Sequence, residues 1–126
     1  METNRSNIAP WLSVFDGAKA MDFYSKAFGA VELYRLDGDD GSTQVAQLSV
    51  NGADFWIQHD PEATSETVSL GKVRMILTVD DPDTMFNQAV AADAEVVFPV
   101  SEEYGWRIGR IADPFGYHWE IGKRLD

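Results

Sequence analysis

The sequence predicts an α+β domain of two βαβββ modules, cupped mixed sheets with their helices outside. Three observations carry this prediction. Apolar residues alternate at period two in eight short segments. They recur at helical spacing in only two segments, each opened by an aspartate suited to capping a helix N-terminus. Finally, the pattern of the first half restarts in the second. Val14 and Asp16 recur as Val79 and Asp81, Met21 as Phe86, and Gly52 and Ile57, one residue shorter, as Gly116 and Ile121. This is a repeat of about 65 residues.

The elements follow in order. Ile8–Val14 is a strand in which Leu12 and Val14 alternate with Trp11 and Ser13. Asp16 caps a helix whose apolar stripe is Ala20, Met21, Tyr24, Ala27 and Phe28, and Gly29 stops it. Glu32–Leu36 is a strand, 37–42 has the Asp/Gly chemistry of a turn, and Thr43–Val50 is the next strand. Asn51-Gly52 is a tight hairpin signal leading into a strand at Phe55–Gln58. Residues 60–72 are polar and read as a linker between module one (about 8–59) and module two (about 73–123). Val73–Val79 restarts the set. Asp81-Pro82 opens a helix with Met85, Phe86, Ala89 and Val90 on its apolar face. Strands follow at Glu95–Val100 and Trp106–Ala112, then an Asp-Pro-Phe-Gly turn at 113–116 and a closing strand at Tyr117–Gly122. Neither module alone can bury both faces of its sheet. Two must therefore pair, within the chain or across a dimer.

Composition narrows the function. At 126 residues, with 44% hydrophobic and 25% charged residues, the chain suits one globular domain with a proper core. It has no cysteine, which excludes disulfides, thiol catalysis and thiolate metal sites and fits a cytoplasmic protein. Met1–Pro10 holds one basic residue and no apolar run, so no signal peptide is expected. Ten basic against 21 acidic residues leave a formal charge of −11. A field of that sign repels phosphate backbones and anionic lipid, so neither nucleic acid nor a membrane is an expected partner. The same field draws cations. No Rossmann fingerprint, phosphate loop or calcium-loop spacing is present.

Pro10–Val14 with Asp16–Ala30, and the closing Asp113–Ile121, resemble the two signatures of the vicinal-oxygen-chelate superfamily of glyoxalases, extradiol dioxygenases and bleomycin-resistance proteins. The resemblance covers nearly the whole chain. It implies a cavity on the inner face of the sheets and a homodimer. It also implies a metal held by up to four His, Glu or Gln side chains, two from the first strands of the modules and two from the last. Carried onto this chain, those positions are Ala9, Trp56, Arg74 and Glu120.

Strand alternation supports that register. Side chains two apart share a face. If Leu12, Val14, Met75, Leu77, Phe55, Ile57, Trp119 and Ile121 face the helices, then Trp11, Trp56, Gln58, Arg74, Ile76, His118 and Glu120 face the cavity. Of the four metal positions only Glu120 carries a donor suited to a divalent ion. Alanine has none, indole offers an N–H, and guanidinium is a fixed cation. No cofactor is therefore expected, and a divalent metal on Glu120 helped by His118 or Gln58 is the alternative. Arg74 is expected to replace the metal as the charge partner of Glu120, through two parallel hydrogen bonds. Trp11 and Trp56 suit a flat ligand. Tyr104 and Trp106, in a Gly-containing loop with Arg107 or Arg110 nearby, are expected to form a lid.

These residues admit three functions. The first is a metal-free protein that binds a small aromatic or cationic molecule, such as an antibiotic held by sequestration. The second is a lyase, isomerase or dioxygenase using Glu120, the best catalytic candidate, with or without a metal. The third is a structural remnant without ligand.

Overall fold

The structure is a computed structural model and describes residues 8–64 and 74–125. Module one comprises strand β1 (Trp11–Val14), helix α1 (Gly17–Phe28) and strands β2 (Val31–Asp37), β3 (Thr43–Val50) and β4 (Ala53–His59). Module two repeats it as β5 (Met75–Thr78), α2 (Pro82–Ala91), β6 (Glu95–Glu103), β7 (Trp106–Ala112) and β8 (His118–Arg124). Each module is a mixed four-stranded sheet, ordered β1-β4-β3-β2 and β5-β8-β7-β6, with the first and last strands parallel. Both predicted modules and their element order are present. Of the expected linker at 60–72, residues 65–72 lie outside the described residues, as do Val73 and 1–7.

Local chemistry sets the boundaries. The Asp16 carboxylate accepts from Lys19 N, and Gly29 takes a left-handed φ of 71°, ending α1 where a Cβ would be strained. The Gln88 amide reaches across from α2 to cap the last carbonyls of α1, at Lys26 and Ala27. Asp81 caps α2, with Pro82 at the start of the helix. Asn51 and Gly52, both at positive φ, make the two-residue hairpin turn predicted for them. Two details differ from expectation. Phe23, not Met21, is buried on α1. The segment 104–105 is no loop: Glu103 pairs directly with Trp106, so Tyr104-Gly105 is a tight turn at a hairpin tip, with both φ positive.

Both modules bury one face of their sheet in a single core. Leu12, Val14, Leu48 and Ile57 of the first sheet, Ile111, Trp119 and Ile121 of the second, and Tyr24 and Phe28 of α1 are all buried there. Trp119 of module two packs on Phe28 and Phe55 of module one, with ring centroids 4.8 and 5.3 Å apart. Two polar locks complete the junction. Tyr117 Oη donates to the Ser13 carbonyl and accepts from the Ser13 N–H, both at 2.9 Å. Buried Asp113 accepts from Tyr24 Oη (2.5 Å), Trp119 Nε1 (2.9 Å) and the backbone N–H groups of Phe115 and Tyr117. Burial pushes the Asp113 carboxyl above its ordinary range while these four donors pull it back. Burial, then the adjacent carboxylate, push the Tyr24 hydroxyl well above its ordinary range. The modules are thus paired within one chain through their helix-bearing faces, and the opposite face of each sheet is left as a cup.

Candidate functional site

The strand registers define one row of side chains across each cup. In module one the row runs Trp11, Trp56, Gln47, Tyr34 on β1, β4, β3 and β2. At the equivalent places in module two it runs Ile76, Glu120, Arg110, Phe98 on β5, β8, β7 and β6. The first row is aromatic. Trp11 and Trp56 stack at 6.0 Å and 24°, and Tyr34 meets Trp56 edge-on at 5.9 Å. Gln58, two residues along β4 from Trp56, accepts from Trp11 Nε1 at 3.0 Å and holds the outer indole in place. Trp11 is nevertheless half exposed, at 52%.

The second row is ionic. Arg74 Nε lies 2.7 Å from Glu120 Oε2, and Arg110 Nη2 reaches the same oxygen at 2.9 Å. The expected partnership of Arg74 with Glu120 forms, though not as two parallel hydrogen bonds. A second guanidinium shares the acceptor. Glu120 and Arg110 side chains keep only 15% and 23% of their exposure, whereas Arg74 keeps 51%. The Arg110 guanidinium also lies 5.2 Å from the centre of the Phe98 ring. Its Nε–H is buried with no hydrogen-bond partner among the described residues. Arg74, Arg110 and Glu120 together carry one excess positive charge. In a partly desolvated site Coulomb terms are about fourfold those in bulk water, so two cations converging on one oxygen repel appreciably.

Two clefts flank this ionic row. One, of about 540 Å³, is lined by Arg74, Phe98, Ile108, Arg110 and Glu120, with Tyr104 at its rim. The other, of about 480 Å³, lies where the sheets meet and is lined by Ala9, Asp54, Phe55, Arg74, Ile76 and Trp119. Arg74 borders both.

The four positions implied for a metal do not fit one. The Ala9 and Trp56 side chains bring no lone pair, Arg74 is a cation, and Glu120 Oε2 already accepts from Arg110 and is ion-paired with Arg74. Among the described residues no three His, Asp or Glu side chains approach closely enough to hold an ion.

The sequence-derived candidates therefore do not form one cavity. Trp11, Trp56 and Gln58 belong to the cup of module one. Arg74, Tyr104, Arg110 and Glu120 share the 540 Å³ cleft, and Ile76 lines its neighbour. His118 opens β8 opposite Ala112, and Trp106 opens β7; neither lines a described cleft. Tyr104, expected with Trp106 to form a lid, stands in the two-residue turn at the hairpin tip described above. Arg107 faces away, held by Asp83 at 2.8 Å and Glu102 at 3.3 Å. Sequence reasoning missed Tyr34, Gln47 and Phe98.

Comparisons with known proteins agree with this geometry. A family model described as the Glyoxalase/Bleomycin resistance protein/Dioxygenase superfamily matches residues 7–121. Uncharacterised proteins of Mycobacterium tuberculosis (Rv0887c) and Mycobacterium bovis (Mb0911c) are 42% identical over 124 residues. The match covers 92% of this chain and 73% and 82% of theirs. Among solved structures, TioX from Micromonospora sp. ML1 superposes with a TM-score of 0.74 at 25% identity, covering 96% of this chain and 98% of that one. The fosfomycin resistance protein FosX from Listeria monocytogenes superposes at 0.70 with 16% identity, covering 98% and 94%, a likeness of fold alone.

Proposed function

The chain belongs to the glyoxalase/bleomycin resistance protein/dioxygenase superfamily, and we propose that within it this protein binds a flat organic molecule without a metal. One observation carries the reading. The single acid left at the implied metal positions, Glu120, is occupied by Arg74 and Arg110. A carboxylate held by two cations is a poor ligand for a third. The aromatic row of module one and Phe98 of module two supply flat apolar surface suited to stacking. Sequestration of an aromatic, antibiotic-like compound in the cytoplasm is the form of binding this arrangement suits.

A homodimer belongs to the same proposal. Trp11, Tyr34, Leu36, Ile76 and Phe98 are each about half or more exposed on the cup faces. Exposed apolar surface on the cup of each module favours cover by a second copy, which would deepen each cup. Light scattering on the purified chain reads the mass directly.

The binding proposal is tested by titrating nickel, zinc, manganese and iron into purified protein and measuring bound metal after desalting. The expected result is no stoichiometric metal, together with quenching of tryptophan fluorescence by planar aromatic compounds. Stoichiometric metal whose retention is lost in Glu120→Gln would overturn the reading and restore Glu120 as a metal ligand of an enzyme.

A further inference from the structure

Charge at the 540 Å³ cleft says more about the ligand than the net charge of the chain does. The acidic surplus is spread over the whole molecule, and charges beyond about 8 Å are largely screened at physiological salt. A ligand in the cleft meets Arg74 and Arg110 directly. Their shared carboxylate cancels one positive charge, and the other remains. Glu103 also borders the cleft, but it is exposed at the mouth, where water weakens it.

The donors are as uneven as the charges. Arg110 Nη2 donates to Glu120, and Arg74 faces the same oxygen through Nε as an ion pair. No protein acceptor among the described residues takes the Arg74 Nη groups or Arg110 Nη1. Phe98 backs the Arg110 guanidinium and is 58% exposed, presenting an apolar floor beside the cation.

We propose that this cleft takes a small organic monoanion with an apolar or aromatic body. Its carboxylate would bridge the free Nη groups of Arg74 and Arg110, and its body would lie on Phe98 and Ile108. A monocarboxylate matches the single excess charge, supplies acceptors to the idle N–H groups and relieves the repulsion between the two guanidinium groups. A cationic ligand would add a third positive charge. The proposal rests on the binding function argued above and deepens it, replacing the cationic preference suggested by the net charge with an anionic one at this cleft.

The experiment uses three probes sharing one ring system: naphthalene-2-carboxylate, naphthalene-2-carboxamide and naphthalen-2-ylmethylammonium, titrated calorimetrically into the full chain. The carboxylate should bind roughly tenfold or more tighter than the amide, as a charge-assisted bidentate contact allows. Arg74→Gln and Arg110→Gln should each shrink that preference several-fold. Glu120→Gln, which keeps an acceptor for both arginines, raises the local excess charge and should strengthen carboxylate binding. A variant that merely misfolds cannot produce that gain. If the amide or the ammonium probe binds as well as the carboxylate, the anionic assignment is wrong while the binding function stands. If none of the three binds at millimolar concentration, both are wrong.

Discussion

The two modules repeat one backbone and differ in what crosses the cup. At equivalent positions module one places Trp11, Trp56, Gln47 and Tyr34, while module two places Ile76, Glu120, Arg110 and Phe98. Only the last position is aromatic in both. Module one spends its row on stacked rings, which bind by area. Module two spends its row on a cation–anion–cation set, which binds by charge. The faces that meet in the core diverge as well. Module one closes with a two-residue Asn-Gly turn, whereas the Asp113 turn of module two places a carboxylate under Tyr24 and Trp119. The two frames share one topology, and the asymmetry lies in the side chains hung on them.

The largest effect should come from the core difference. Asp113→Ala strands four donors in a buried site and should cost about 3–5 kcal/mol, enough to unfold a marginal domain. Urea denaturation measures it. A loss below about 1 kcal/mol would mean that the junction does not depend on this carboxylate.

Glu120→Ala ranks next. It leaves Arg74 and Arg110 facing each other without their shared acceptor. Breaking a buried pair costs several kcal/mol, but Arg74 is half in water, so about 2–3 kcal/mol is expected. Added salt should restore part of the loss by screening the two cations. The same substitution at the module-one equivalent, Trp56→Ala, should cost about 2 kcal/mol through lost stacking and area, with no salt dependence. A salt-sensitive Trp56→Ala or a salt-blind Glu120→Ala would erase the distinction between the cups.

Much of this contrast is legible in the sequence. The shift that carries Val14 and Asp16 onto Val79 and Asp81 exposes the repeat, and alternation places Trp56 and Glu120 on matching faces. Tyr34 and Phe98 were not legible, for one shared reason. Each follows a register shift in the second strand of its module, at Glu32/Tyr34 and Val96/Phe98. An inserted residue flips the alternation, so counting by twos loses the face. Arg110 was named, but its place opposite Glu120 was not. That pairing depends on the hairpin being centred on Phe115, with Asp113 N bonded to the Tyr117 carbonyl, whereas a turn at 113–116 sets Trp119 opposite Arg110. The loop expected at Tyr104-Gly105 is instead a two-residue turn, because positive φ at both positions carries the chain directly from Glu103 to Trp106.

The smallest effect reads the junction through a proton. Tyr24 belongs to module one, and Asp113 of module two accepts its hydrogen bond. Burial and that carboxylate push the hydroxyl well above its ordinary range, so the folded state keeps a proton that the unfolded chain loses near pH 10. Above that pH the unfolded state binds fewer protons, and stability must fall as pH rises. The contribution is fully present below pH 10 and declines by about 1 kcal/mol between pH 10 and 11. Tyr117 is also pushed up by burial and adds to the slope in the same direction. Tyr24→Phe should lower neutral-pH stability through its lost hydrogen bond and make the alkaline decline shallower. Urea midpoints between pH 8 and 11 distinguish these outcomes. An unchanged slope in Tyr24→Phe would place the alkaline-sensitive proton elsewhere.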